Sequence, residues 1–223
     1  GRGAEPPRVR GAVDEGKPVT PVVAVLDYEM SNLRSACKAL EHVGAQVRVV
    51  TAPDGVAGAD AVVLPGVGHF GEAMRRIRAT GLDVAIRDAV DEGLPVLGIC
   101  LGMQLLFEES EESPGAVGLG LLPGAVRRLA TDRKLPHIGW SRVRRQPGCV
   151  LAPEDEDDAS STYYFVHTFG CEPEDPSLVL GRADHGVEFC AAAGRQDVMG
   201  VQFHPEKSSA AGLGLLGRWL AVS

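Results

Sequence analysis

The stretch Leu94-Pro95-Val96-Leu97-Gly98-Ile99-Cys100-Leu101-Gly102-Met103-Gln104 leaves the backbone few options. An apolar run suited to a buried strand passes directly into helix-like patterning over Leu101 to Glu109, with no loop between. A corner that tight strains its central residue, and the neighbours must lack Cβ atoms for strand and helix to approach. Glycine stands on both sides of Cys100, at 98 and 102, so the segment reads as the thiol version of the G-x-S-x-G nucleophile elbow. The corner aims the sulfur at the helix N-terminus, whose N–H groups favour a thiolate. Cys100 is the candidate nucleophile. The bland alternative is a buried, inert cysteine at a strand end, and the strand–turn–helix context weighs against it.

The rest of the N-terminal half repeats the same grammar. Val22 to Leu26, Gln46 to Val50, Asp60 to Leu64 and Pro95 to Ile99 are short apolar runs rich in β-branched residues. Between them lie Asn32 to Val43, with Ser31 as candidate N-cap and Gly44 as stop, then Phe70 to Arg78 and Leu82 to Glu92, all with helical spacing. Alternation of this kind predicts an α/β domain, a doubly wound, mostly parallel open sheet with helices on both faces. From about Gly115 the character changes. Leu119 to Arg128 and Ile138 to Val143 read as antiparallel hairpin strands, and Tyr163 to His167, Gly186 to Ala192 and Val198 to Phe203 as further strands. Glu154 to Ser161 reads as an acidic solvated loop and Ala210 to Leu220 as a closing helix. The expected organisation is a disordered extension over 1–20 followed by one domain over 21–223. Ligands of open α/β sheets bind outside the carboxyl ends of the strands, and Tyr28, Gly66 and Cys100 all fall there.

A thiolate nucleophile needs a base, and the base an orienting group. Of the six histidines only His204 carries a partner beside it, in Gln202-Phe203-His204-Pro205-Glu206-Lys207. Pro205 favours extended geometry at His204, and residues two apart on an extended chain share a side. Glu206 is therefore expected to hold one ring nitrogen while the other faces Cys100. Acyl transfer also develops an oxyanion that needs backbone donors. The Leu101 N–H is one. Leu64-Pro65-Gly66-Val67-Gly68-His69, where glycine permits close approach, offers the second.

Composition narrows the classes. Net charge of −8 argues against nucleic acid as a partner, although Arg127, Arg128, Arg133, Lys134, Arg142, Arg144 and Arg145 form a local basic cluster, either solvated or facing a partner. No apolar run reaches the length of a membrane span, and Gly1 to Thr20 lacks the apolar core of a signal peptide. Five scattered cysteines without a C-x-x-C pair suit a reduced, cytoplasmic protein better than a disulfide framework or metal site.

With Gly-Ile-Cys-Leu-Gly-Met-Gln at 98–104 and Gln-Phe-His-Pro-Glu-Lys at 202–207, the chain resembles the class I glutamine amidotransferase family. Pro65-Gly66-Val67-Gly68-His69-Phe70, Pro136-His137-Ile138-Gly139-Trp140 and Tyr163-Tyr164-Phe165-Val166-His167-Thr168 are similar to glutaminase subunits of histidine biosynthesis, and the likeness runs from about Val22 to Leu220. The resemblance implies a catalytic triad of Cys100, His204 and Glu206. It implies oxyanion and glutamine binding by Gly66, Val67, Gly68 and Leu101, substrate contact by Gln104, and a backbone grip on the substrate's α-groups by Thr168 and Phe169. Lys207, Trp140 and Asn32 would lie near the partner. It further implies L-glutamine as substrate, no cofactor or metal, and a heterodimer with a separate cyclase subunit. Ammonia passed to that subunit would yield imidazole glycerol phosphate and aminoimidazole carboxamide ribotide. Subunits serving anthranilate, pyridoxal phosphate or purine synthesis carry the same triad. Two departures stand out. Glu29 and Ser31 replace both glycines of the usual Asp-Tyr-Gly-x-Gly-Asn, so positive φ there would be strained, and Ser141 replaces a common asparagine after Gly-Trp.

Overall fold

The computed structural model describes residues 20–146, 161–195 and 197–221. The expected extension over 1–20, apart from Thr20, and the acidic loop before Ser161 lie outside the described residues. Five parallel strands form the spine of the sheet: β1 (Val22–Leu26), β2 (Gln46–Val50), β3 (Ala61–Gly66), β4 (Val96–Cys100) and β13 (Val198–Val201), in the order β2-β1-β3-β4-β13. Strand alternation divides the interior in two. Ala24, Leu26, Val62 and Leu64 pack on one face beneath α2 (Phe70–Thr80) and α3 (Leu82–Asp91), and Val23, Val25, Val63 and Ile99 on the other beneath α1 (Leu33–His42) and α5 (Ser209–Ala221). Burial on both faces is why these strands read as unbroken apolar runs. Among the described residues, no helix is long and apolar enough to cross a membrane.

The sheet continues antiparallel from β13 through β12 (Glu188–Arg195) and β10 (Phe169–Pro173) to β6 (Gly124–Arg128), where the short β5 (Glu109–Ser110) adds in parallel, and β11 (Val179–Asp184) bridges β12 and β8 (Arg144–Arg145). A separate ribbon pairs β7 (His137–Arg142) with β9 (Thr162–His167), Trp140 opposite Tyr164. The doubly wound, mostly parallel architecture thus holds, and several local expectations do not. The segment expected as strand over Leu119 to Arg128 is extended only as β6, and it pairs with β10 and β5 rather than with a neighbouring hairpin arm. Asn32, not Ser31, occupies the N-cap of α1 and makes no side-chain cap bond.

The helix expected over Leu101 to Glu109 is α4 (Leu101–Leu105), little more than one turn. Its C-terminal carbonyls are taken by a returning loop. Leu119 N–H donates to Leu105 O, Leu121 and Leu122 to Leu106 O, and Gly120 to Phe107 O. Those tertiary bonds satisfy the orphan acceptors that further helical turns would otherwise have filled.

Candidate active site

Cys100 ends β4 and caps α4 with φ 56° and ψ −111°, the left-handed strain that the elbow motif implied. The flanking glycines are obligatory for steric reasons. A Cβ on Gly98 would come 2.6 Å from the Gly102 carbonyl oxygen, and one on Gly102 would overlap the Leu64 carbonyl oxygen. With α4 so short, the sulfur has no extended helix dipole behind it, contrary to what the longer expected helix implied.

Parallel pairing joins the distant halves of the site. Val201 lies opposite Ile99, so Cys100 and the segment continuing to His204 leave the same sheet edge side by side. His204 is extended, as Pro205 suggested, but Glu206 sits in a 3₁₀ turn (Pro205–Lys207) rather than on a continuing strand. The turn still brings Glu206 Oε1 to 2.8 Å from His204 Nδ1, and both side chains are only 4% exposed. Nε2 is thereby left for Cys100. Burial opposes a charge on His204, but hydrogen bonds to Cys100 and Glu206 and their negative charges prevail, raising its pKa to about 9. The second carboxylate oxygen of Glu206 is buried with no hydrogen-bond partner.

The oxyanion strand departs from expectation. Tyr28 hydroxyl donates to the Pro65 carbonyl at 2.8 Å, and Val67 N–H donates to the Met30 carbonyl at 2.9 Å. A Val67 N–H so engaged is not available to an oxyanion at Cys100. The holding loop contains both glycine replacements noted above, Glu29 and Ser31. Glu29 adopts φ 64° and its carboxylate pairs with Arg76 at 2.7 Å. Ser31 is not in the left-handed region, and its hydroxyl is buried without a partner.

A cavity of about 270 Å³ opens over the sulfur. It gathers Val67, Gly68, Cys100, Leu101, Gln104, Thr168, Phe169, His204 and Lys207 from the expected set, along with Glu112, Pro136, Val166 and His167. Gly66 ends β3 opposite Cys100 but does not line the cavity. Trp140, 53% exposed, and Asn32 lie on the surface outside it. The basic cluster is interleaved with acids, Arg127 pairing with Glu109 and Arg144 with Glu188.

Three contributors escaped sequence reasoning. Gln202, fully buried, donates to Cys100 Sγ at 3.8 Å and accepts from Gln104 at 3.1 Å. It stands two residues before His204, and only the fold shows where its amide goes. Glu112 lines the cavity while its Oε2 accepts from Phe70 N–H at 2.7 Å. His167, seen only as part of a motif, connects the cavity wall to His137 at 3.0 Å.

The family profile described as glutamine amidotransferase class-I matches residues 24–215. The chain belongs to the class I glutamine amidotransferase family. Its relatives include the imidazole glycerol phosphate synthase subunit HisH of Bacillus subtilis, 47% identical over 208 residues that cover 91% of this chain and 97% of that protein. HisH of Herpetosiphon aurantiacus is 44% identical over 202 residues, 91% of this chain and 95% of that protein. Among solved structures, PurLQS from Thermotoga maritima matches 92% of this chain and 99% of that chain with a TM-score of 0.73 at 21% identity, a likeness of fold. In this amidotransferase the strand order, the elbow and the His204–Glu206 pair therefore sit in a fold shared with other family members.

Proposed function

We propose that the chain is the glutaminase subunit of an imidazole glycerol phosphate synthase, hydrolysing L-glutamine at Cys100 and supplying ammonia to a separate cyclase subunit in the cytoplasm. The observation that carries this reading is the buried Cys100–His204–Glu206 arrangement beneath a cavity of amino-acid scale. A space of about 270 Å³ is at the small end of ligand pockets, and suits a free amino acid rather than a peptide. Relatives named HisH at 44–47% identity over nearly the whole chain favour this acceptor over anthranilate, pyridoxal phosphate or purine synthesis.

Each group has a role. His204, raised to about 9 by its hydrogen bonds to Cys100 and Glu206, is the base that takes the thiol proton as the sulfur attacks. Cys100 Sγ attacks the side-chain amide carbon of glutamine and forms a tetrahedral intermediate. Its collapse breaks the C–N bond, and ammonia leaves with the proton from His204 Nε2. The now neutral imidazole draws a proton from water, which attacks the thioester and releases glutamate and the thiol. Glu206 orients His204 throughout. Gln104 and the Thr168–Phe169 wall hold the substrate, and the Glu112 carboxylate suits its α-ammonium group. Leu101 N–H is one oxyanion donor.

The second donor is Val67 N–H, which the Met30 carbonyl holds away. The isolated subunit is accordingly nearly silent. Docking of the cyclase subunit against the surface of Trp140, Lys207 and Asn32 turns the strand and frees the donor. Labelling with a diazo-ketone glutamine analogue tests nucleophile and substrate together: modification mapped to Cys100 is expected, and modification elsewhere would remove the assignment. Equal glutaminase turnover with and without the cyclase subunit would rule out the gating.

A further inference from the structure

A line of hydrogen bonds leads away from the cavity and takes no part in the chemistry above. His167 Nδ1 lies 2.9 Å from the Phe169 carbonyl, its Nε2 lies 3.0 Å from His137 Nδ1, and His137 Nε2 lies 3.0 Å from Ser141 Oγ. Burial holds His167 down to about 3, and burial with the charges of His185 and Arg133 holds His137 down to about 4, so both rings are neutral under ordinary conditions. Neutrality fixes the direction of every bond. A carbonyl carries no proton, so His167 donates through Nδ1 and accepts at Nε2. His137 must then donate through Nδ1, and its Nε2 takes the Ser141 hydroxyl proton. Packing allows little else, since His137 stacks between Phe165 at 5.1 Å and His185 at 4.2 Å.

The Phe169 carbonyl also accepts from Gln104 Nε2 at 3.0 Å. With both lone pairs committed, the Phe169–Gly170 peptide cannot rotate without breaking two part-buried hydrogen bonds. We propose that His167 is a positioning residue for the substrate amino acid: held in one tautomer by His137 and Ser141, it pins the Phe169 carbonyl and so aims the Thr168–Phe169 wall of the pocket. The inference rests on the reading that this wall holds glutamine. It also gives Ser141, the departure after Gly-Trp, a definite task as the terminal donor of the line.

The test uses the subunit together with its cyclase partner. His137→Phe keeps a stacking ring and deletes the donor. KM for glutamine should rise about tenfold, as expected for a misplaced binding group, while kcat and iodoacetamide alkylation of Cys100 stay within about twofold. Ser141→Ala should raise KM by a smaller factor, and it serves as the test if His137→Phe does not fold. ¹⁵N-histidine NMR of the wild-type protein should show His167 protonated on Nδ1 alone. Unchanged KM in the folded variants, a loss carried by kcat, or His167 protonated on Nε2 would overturn the proposal. Wild-type protein that hydrolyses no glutamine with its partner would defeat the functional reading instead, and the NMR result separates the two.

Discussion

Glu29 is the residue at which this chain departs from its family at a conformational cost, and Glu29→Gly turns that departure into a measurement. A non-glycine residue at φ 64° carries about 1–2 kcal/mol of left-handed strain, which glycine relieves. Against this, glycine has more unfolded-state freedom to lose, about 0.5–1 kcal/mol. The substitution also deletes the ion pair with Arg76. The Glu29 side chain is 83% exposed and Arg76 keeps Glu72 at 2.7 Å, so the loss is at most about 1 kcal/mol. The Asp27 acceptor for the Glu29 N–H at 2.8 Å is unaffected by either side chain. The three contributions cancel to within about 1 kcal/mol, which for a chain of this size is a Tm within about 4 °C of the parent. Glu29→Val keeps the strain, adds β-branching and loses the same pair, so it should be clearly destabilised. The functional effect should be larger than the thermal one. Glu29 immediately precedes the Met30 carbonyl that holds Val67 N–H, so a glycine there loosens the hold and raises glutaminase turnover of the isolated subunit several-fold, with less effect in the complex. The assays are thermal unfolding and glutamate release with and without the cyclase subunit. A Glu29→Gly Tm lower by more than about 8 °C, or basal turnover that does not move, would refute the reasoning.

Other expectations follow from the site. Glu206→Gln removes the charge that orients and supports His204 (both side chains only 4% exposed); a hydrogen bond to a charged group is worth about 1.5–3 kcal/mol, so kcat should fall on the order of tenfold to a hundredfold with KM little changed in steady-state kinetics. Gly102→Ala drives a methyl into the Leu64 carbonyl and should lose about 2 kcal/mol or more in denaturant unfolding; parental stability would contradict the packing described. The two buried neutral histidines give stability an acid slope. Their folded pKa values, about 4 for His137 and about 3 for His167, lie below the ordinary 6.5, so their contribution is complete above pH 6.5 and is lost as pH falls toward 3. His204 acts in the opposite sense, complete below 6.5 and lost as pH rises through about 9, so stability should peak near pH 6.5. Urea midpoints across that range check both limbs, and Cys100→Ser should flatten the alkaline one.

Much of this was legible in residue order because the signals are local. The elbow needs glycine at 98 and 102 within one turn of the chain, and the His204–Glu206 pair lies within three residues. Strands buried on both faces announce themselves as apolar runs. Besides the two-residue strands β5 and β8, two longer strands went unread because their composition argues against a strand: β10 carries Gly170 and ends on Pro173, while β11 contains Gly181 and ends on Asp184. Helix α4 reads as longer than it is because its sequence favours continuation, and the bonds that stop it come from residues 119–122.

Sequence alone determined the parallel α/β spine, the tight corner at Cys100 and the pairing of His204 with Glu206, because strand period, glycine at a crowded corner and an imidazole beside a carboxylate are properties of neighbouring residues. Only the tertiary structure decided that Gln202 reaches the sulfur, that Val67 N–H is held by Met30, and that His167 is locked through His137 to Ser141. The Gln202–Cys100, Val67–Met30 and His167–His137 bonds join segments from 30 to more than a hundred residues apart. Such a bond depends on which strands become neighbours and in what register, and that follows from how the whole chain buries its apolar surface.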